Sequence, residues 1–146
     1  MGKLLFITPC PVPENIENQS DGVVRKIYQQ YQAFQQLFDT YLLGYVEKKI
    51  ALYHNGEIKI LSSVKIKQLR RFRLYEVANH LIGENRVPYC YARHDRSNKK
   101  SIDMLKNIRE TGARIILEIP TFPYDLECSH SIKNELIKLF DLRYRM

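Results

Sequence analysis

The sequence predicts an α/β fold: a parallel sheet flanked by helices, with an inserted β-hairpin. Short apolar runs alternate along the chain with segments whose apolar residues recur at helical spacing, as expected for repeated β-α-β units. Asn55-Gly56 lies between two short strand-like segments and is a strong signal for a tight hairpin turn. The chain has 146 residues, which suits one domain with its own core.

Four apolar runs are the predicted parallel strands. Lys3 to Thr8 is followed by three prolines, and Asp39 to Val46 leads into the hairpin. The other two are Pro88 to Arg93 and Arg114 to Ile119, the latter ended by Pro120. Parallel strands covered on both faces are apolar throughout rather than alternating, so these four are expected to be buried neighbours.

Four helices are predicted from apolar residues that repeat every three to four positions. The first runs from about Gly22 to Phe38, the second ends at Gly83 and Asn85, the third ends at Gly112, and the last starts at Ser129 or Ser131. Their apolar faces are Val24, Ile27, Tyr28, Tyr31, Phe34 and Phe38; Leu74, Val77, Ala78 and Leu81; Met104, Leu105 and Ile108; and Ile132, Leu136, Leu139 and Phe140. The resulting element order is Rossmann-like.

Composition narrows the classes of function. Ten Tyr and 6 Phe, with 45% hydrophobic residues, argue against disorder. The net charge of +7 favours an anionic partner such as nucleic acid, an anionic lipid surface or a phosphorylated ligand. No apolar run approaches the ~20 residues of a membrane span, and no signal peptide is evident. Three widely spaced cysteines without metal-ligand spacing predict reduced thiols in a cytoplasmic protein and no metal site.

Several enzyme motifs do not occur in the sequence. It has neither GxGxxG after the first strand nor GxxxxGK[ST], which argues against a classical dinucleotide-binding unit and a P-loop NTPase. It also lacks HExxH and GxSxG, so neither a zinc protease nor an α/β-hydrolase is favoured.

The carboxyl ends of the predicted strands are where an open α/β sheet binds its ligand. Asp21 and Gly22 lie at the predicted start of the first helix, whose N–H groups suit a phosphate or a sugar hydroxyl. The plainer interpretation of these two residues is a helix N-cap followed by a turn residue. Arg93 follows a strand and could bind a phosphate, pair with Glu118, or belong to a solvated turn together with His94, Asp95 and Arg96.

Glu118 is the strongest candidate for a functional residue, because it is a carboxylate within the apolar run Arg114 to Ile119. A carboxylate in a buried strand needs a partner or an opening to solvent. Glu118 is therefore either an acid or ligand-binding group at the strand ends or half of a structural pair with Arg93.

A basic segment precedes the second helix. It could contact anionic lipid or nucleic acid, although an ordinary solvated helix face is the more common meaning of such a run. Few aromatic residues alternate with its charges, which makes nucleic acid an unlikely partner. Its members are Lys65, Lys67, Arg70, Arg71 and Arg73.

Four blocks of sequence resemble the N-terminal domain of bacterial retaining glycosyltransferases with the two-domain GT-B fold (glycosyl transferases group 1, family 4-like). They are Lys3 to Pro9 (KLLFITP), Asp21 to Lys26 (DGVVRK), Pro88 to Arg93 (PYCYAR) and Ile116 to Asp125 (ILEIPTFPYD), of which the last is the most specific. The resemblance spans nearly the whole chain but only half of such an enzyme.

The resemblance implies that residues 1–146 are a single acceptor-binding domain and that the C-terminal nucleotide-sugar domain is absent, as in a truncated piece or a fragment gene. The whole enzyme would transfer a hexosyl group from a nucleotide-sugar to a saccharide or lipid-linked acceptor in polysaccharide biosynthesis. It would retain anomeric configuration and need neither metal nor cofactor. We expect this piece alone to be inactive, and the enzyme to be cytoplasmic or peripheral on the inner face of the membrane through the basic segment.

The resemblance implies acceptor-binding roles for six residues and identifies no catalytic residue. Two departures from the family pattern are Asp21-Gly22 in place of Gly-Gly and Pro120 near a position where many members have a histidine. The rival hypothesis is a non-catalytic basic α/β module for nucleic acid or a partner protein. The six acceptor-binding candidates are Asp21, Gly22, Arg25, Arg93, Glu118 and Thr121.

Overall fold

The structure, a computed structural model, describes residues 1–12, 22–66, 69–93 and 99–119. In chain order the elements are β1 (Lys3–Pro11), α1 (Gly22–Gln35), β2 (Asp39–Val46), β3 (Lys49–His54), β4 (Glu57–Ser63), α2 (Arg70–Asn85), β5 (Tyr89–Arg93), α3 (Lys99–Glu110) and β6 (Arg114–Glu118). The predicted α/β class with an inserted hairpin is confirmed. The predicted last helix lies outside the described residues.

The six described strands form one mixed sheet in the order β4-β3-β2-β1-β5-β6. β1 lies between β2 and β5 and is parallel to both, and β6 continues the parallel part beside β5. β3 and β4 are antiparallel and extend the sheet beyond β2. The hairpin is therefore part of the main sheet and forms one of its edges.

The hairpin turn is the predicted one. Asn55 has φ of +49° and Gly56 has φ of +89°, so both central residues are left-handed, as a type I′ turn requires. Asparagine and glycine tolerate this conformation at low cost, which explains why the pair marks the turn in the sequence.

Helices cover both faces of the sheet and define two apolar clusters. On one face α1 packs Ile27 and Tyr31 against the sheet residues Phe6, Leu42 and Tyr53. On the other face α2 and α3 pack together over a mainly aliphatic cluster that also buries Tyr45 and Tyr75. That cluster includes Leu5, Ile7, Leu43, Ile50, Leu74, Ile82, Met104 and Ile108. The predicted apolar faces of these three helices are the faces that contact the sheet.

β1 continues to Pro11, beyond the predicted end at Thr8. The register with β2 shifts between Ile7 and Pro11, and prolines are tolerated at such irregularities because the ladder is interrupted there. The shifted segment passes directly over Gly44. A Cβ at that position would lie 2.7 Å from the Cys10 carbonyl oxygen, so only glycine allows this close approach.

One helix end and one strand also differ from the sequence prediction. α1 ends at Gln35 rather than near Phe38, whereas α2 ends at Asn85, as the predicted end at Gly83 and Asn85 allows. Arg86 caps α2 and is left-handed, with φ of +47°.

β6 is not a buried strand, contrary to the prediction. It pairs only with β5 and forms an edge of the described sheet, and Ile116 on it is 59% exposed. An apolar run shows that a segment has strand propensity, but it does not show whether neighbours cover both its faces.

Candidate functional site

In the described sheet, the helical connections that follow β1 and β5 lead to strands on opposite sides of this pair. From β1 the chain crosses by α1 to β2 on one side, and from β5 it crosses by α3 to β6 on the other side. β1 and β5 are adjacent, so the crevice between their carboxyl ends is the expected ligand site of an open α/β sheet.

Arg93 and Glu118 meet at these carboxyl ends, as predicted. They are register partners on β5 and β6. Arg93 Nη1 donates to Glu118 Oε1 at 3.3 Å and to Oε2 at 3.5 Å. The two side chains are only 8% and 14% exposed, so this is a largely buried ion pair.

Two α1 side chains, which the sequence analysis did not select, also contact Glu118. Lys26 Nζ lies 3.4 Å from Oε1, and Gln30 Nε2 donates to Oε2 at 3.4 Å. Lys26 and Gln30 are four residues apart and therefore lie on the same side of α1. We call Lys26, Gln30, Arg93 and Glu118 the Glu118 cluster.

The Glu118 cluster combines one carboxylate with two cations, which leaves it a local excess of one positive charge. Its contacts of 3.3–3.5 Å are longer than the ~2.7–2.9 Å of a tight charge-assisted hydrogen bond. Lys26 is 57% exposed and is the member that faces solvent. Its contact with Glu118 is therefore the easiest to exchange for a ligand.

Tyr91 precedes Arg93 by two residues on β5 and so lies on the same face of the strand. Burial, and then the nearby Glu118 carboxylate, raise the pKa of Tyr91 to about 12. Both causes disfavour a negative charge on the phenol. Tyr91 is therefore a neutral hydroxyl across the physiological pH range.

Thr8 adds a buried hydroxyl next to the Glu118 cluster. Ile7 pairs with Ala92, so the following residue, Thr8, is level with Arg93 on the adjacent strand. The residue is fully buried, and within the described ranges its Oγ1 has no hydrogen-bond partner. Buried polar groups are normally paired, so this one marks a position where a polar partner would be accommodated.

The other predicted site residues are not joined to the cluster by described contacts. Gly22 is the exposed first residue of α1, and Arg25 is exposed in the first turn. Asp21 and Thr121 lie outside the described residues, as do the neighbours of Arg93 from His94 to Arg96.

The basic segment is partly engaged with its own domain. Arg70 lies over the Tyr45 ring at 5.2 Å, and Arg73 contacts Ser62 and Glu76 at 3.0 Å each. These contacts favour the ordinary helix face over a continuous basic strip. Lys65 is exposed, and Lys67 lies outside the described residues.

A second polar cluster, at the opposite end of the sheet, was also not anticipated. His54 Nε2 lies 2.8 Å from Asp39 Oδ1, and the Tyr41 hydroxyl donates to Asp39 Oδ2 at 3.0 Å. The Tyr41 and His54 rings stack at 4.1 Å. We call these three residues the Asp39 cluster. It forms because the chain reverses between β2 and β3, so that the end of β3 lies alongside the start of β2.

Comparisons of the chain with protein families, curated proteins and solved structures find no match, so they assign it to no family. Among the described helices, none has both the length and the apolar character needed to cross a bilayer.

Proposed function

We propose that this domain binds a saccharide or lipid-linked saccharide at the carboxyl ends of β1, β5 and β6, as the acceptor-binding domain of a glycosyltransferase with the GT-B fold. The complete enzyme would transfer a hexosyl group from a nucleotide-sugar to that acceptor. The observation that carries the proposal is the largely buried Glu118 carboxylate, held by three donors at the strand ends beside the topological switch point.

The chemistry of the Glu118 cluster suits a ligand rich in hydroxyls. A carboxylate accepts hydrogen bonds from sugar hydroxyls, whereas Arg93 and Lys26 donate to hydroxyl or ring oxygens. The Thr8 hydroxyl and the neutral Tyr91 phenol each can donate or accept. A sugar hydroxyl that displaced the long Lys26 contact would restore a hydrogen bond to Glu118 and release Lys26 to a second oxygen.

The sequence supports the same site independently of the geometry. Glu118 lies in the block Ile116 to Asp125, which carries the most specific part of the resemblance to the glycosyltransferases. Arg93 ends a second such block, and Lys26 ends a third. Three of the four resembling blocks thus supply residues to one cluster.

The experiment is a titration of the ¹⁵N-labelled chain with glucose, galactose, N-acetylglucosamine and their disaccharides, followed by NMR. We expect saturable shifts at Lys26, Arg93 and Glu118 with a Kd in the millimolar range, because such small polar ligands bind weakly. Glu118→Gln should weaken the binding, since it removes the charge that strengthens hydrogen bonds to the sugar.

Glu110→Gln is the matched control, because Glu110 is an exposed carboxylate on α3 away from the cluster. Titrations that leave the cluster unshifted, or that are equal in Glu118→Gln and Glu110→Gln, would contradict the proposal. Binding to single-stranded RNA that falls steeply with added salt would instead support the rival basic module.

A further inference from the structure

A cavity of about 310 Å³ lies on the α2 face of the sheet, at the end opposite the Glu118 cluster. It is bounded by the starts of β1 and β2, by both strands of the hairpin and by the end of α2. Its volume is at the lower end of the ~300–1,000 Å³ typical of small-molecule sites. The space suits a compact ligand rather than a polymer.

The inner wall of the cavity is apolar and its rim is charged. The wall includes Leu5, Leu52, Leu61, Leu81 and Val87, of which Leu5 and Val87 are buried. The rim carries Lys3, Glu57 and Lys59. A ligand with an apolar body and a polar head fits this division.

The Asp39 cluster makes one side of the cavity rigid. Hydrogen bonding from His54, and then from Tyr41, holds the pKa of Asp39 below its usual range, so Asp39 is an ionised acceptor at neutral pH. His54 must then donate through Nε2, which fixes the tautomer and the plane of its ring. The stacked Tyr41 and His54 rings line the cavity as a flat, fixed surface.

The charged side chains at the rim indicate the charge that the polar head of a ligand would carry. Both Asp39 oxygens are already occupied, and among the described residues no carboxylate lies within ion-pair distance of Lys59 Nζ. Glu57 and the ionised Asp39 balance the charges of Lys3 and Lys59, but Lys3 interacts electrostatically with Asp39. Lys59 is therefore the rim cation left to bind an anion, and a single cation matches a monoanion better than a phosphate dianion. Within the same residues, no three side chains are placed to hold a metal ion.

We infer that this cavity binds a small amphipathic monocarboxylate, whose apolar body lies between the leucines and the Tyr41–His54 stack and whose carboxylate contacts Lys59. This site is separate from the Glu118 cluster, and the inference does not depend on the proposed glycosyltransferase function.

The test compares 4-phenylbutyrate with its neutral isostere 4-phenylbutyramide, each titrated into the ¹⁵N,¹³C-methyl-labelled chain. We expect saturable shifts at Leu5, Leu61 and Leu81 with both compounds, and tighter binding of the carboxylate. Lys59→Gln should weaken carboxylate binding about three- to fivefold, the scale of one exposed ion pair, and leave amide binding unchanged.

Lys48→Gln is the matched control, because Lys48 is exposed in the turn between β2 and β3 and does not line the cavity. It should leave both affinities unchanged. Leu61→Phe narrows the cavity and should weaken both ligands. Equal affinity for carboxylate and amide, equal effects of the two lysine variants, or no shifts at the three leucines would each overturn the inference.

Discussion

Glu118→Gln is the variant that best measures what the Glu118 cluster contributes to stability. The change keeps the shape of the side chain and removes its charge. The Arg93 guanidinium, 8% exposed, would then lie in the protein interior beside a neutral amide. Leaving one partner of a buried pair without its counter-charge typically costs about 3–5 kcal/mol.

The expected cost is smaller here for three structural reasons. Glu118 is 14% exposed, and the amide oxygen of the substituted side chain can still accept from Arg93 and Gln30. Lys26, at 57% exposed, can move its charge into water without loss. We therefore expect the free energy of unfolding to fall by about 2–3 kcal/mol, below the cost of a fully buried pair.

Urea unfolding followed by circular dichroism at pH 7 measures this change, together with Arg93→Leu and the double variant. The double variant should be less destabilised than the sum of the two single variants, because it leaves no unpaired buried charge. A loss of less than about 0.5 kcal/mol for Glu118→Gln, with additive effects in the double variant, would show that the pair behaves as an exposed one.

Four further predictions concern other parts of the fold. Gly44→Ala should lower the free energy of unfolding by about 2–3 kcal/mol, because its Cβ would meet the β1 backbone. Gly83→Ala, in open space on α2, should raise it by about 0.5–1 kcal/mol in the same urea assay. The folded protein holds the pKa of Asp39 below its ordinary value of 3.8. The difference in the free energy of unfolding between wild type and Asp39→Asn should therefore be fully present above pH 3.8 and disappear as the pH falls through the lower folded pKa. A free-energy difference that does not change with pH would contradict this. Burial raises the pKa of Cys90 to about 12, so iodoacetamide should label it only after unfolding, as mass spectrometry can show.

The sequence predicted the order of the elements because each described strand and helix has its own local signal. It also predicted the contact between Arg93 and Glu118, since both residues end neighbouring parallel strands. It did not reveal Lys26 and Gln30 as partners of Glu118. Apolar spacing shows which face of α1 packs on the sheet. It does not show which strand residues contact the polar side chains at the edge of that face.

Two other differences come from tertiary structure that local patterns do not encode. Prolines normally mark strand ends, yet β1 continues to Pro11 because the glycine at position 44 of β2 leaves room for an irregular segment. The Asp39 cluster depends on how the hairpin is paired with β2, which brings together residues 15 positions apart in the sequence. Neither histidine spacing nor strand periodicity signals such a contact.

The two apolar clusters hold separate sets of side chains, so the packing on each face of the sheet can be followed separately by spectroscopy. On the α1 face, aromatic rings contact one another: Phe6 with Tyr91 at 5.0 Å, and Tyr31 with Tyr53 at 5.2 Å. The cluster under α2 and α3 also buries Tyr45 and Tyr75, so near-ultraviolet circular dichroism combines rings from both faces. Assigned methyl resonances separate the faces: Ile27 and Leu42 report on the α1 face, and Leu74 and Ile108 report on the other. Recording both sets of resonances during one unfolding transition would reveal whether the two faces of the sheet lose their packing together or in sequence.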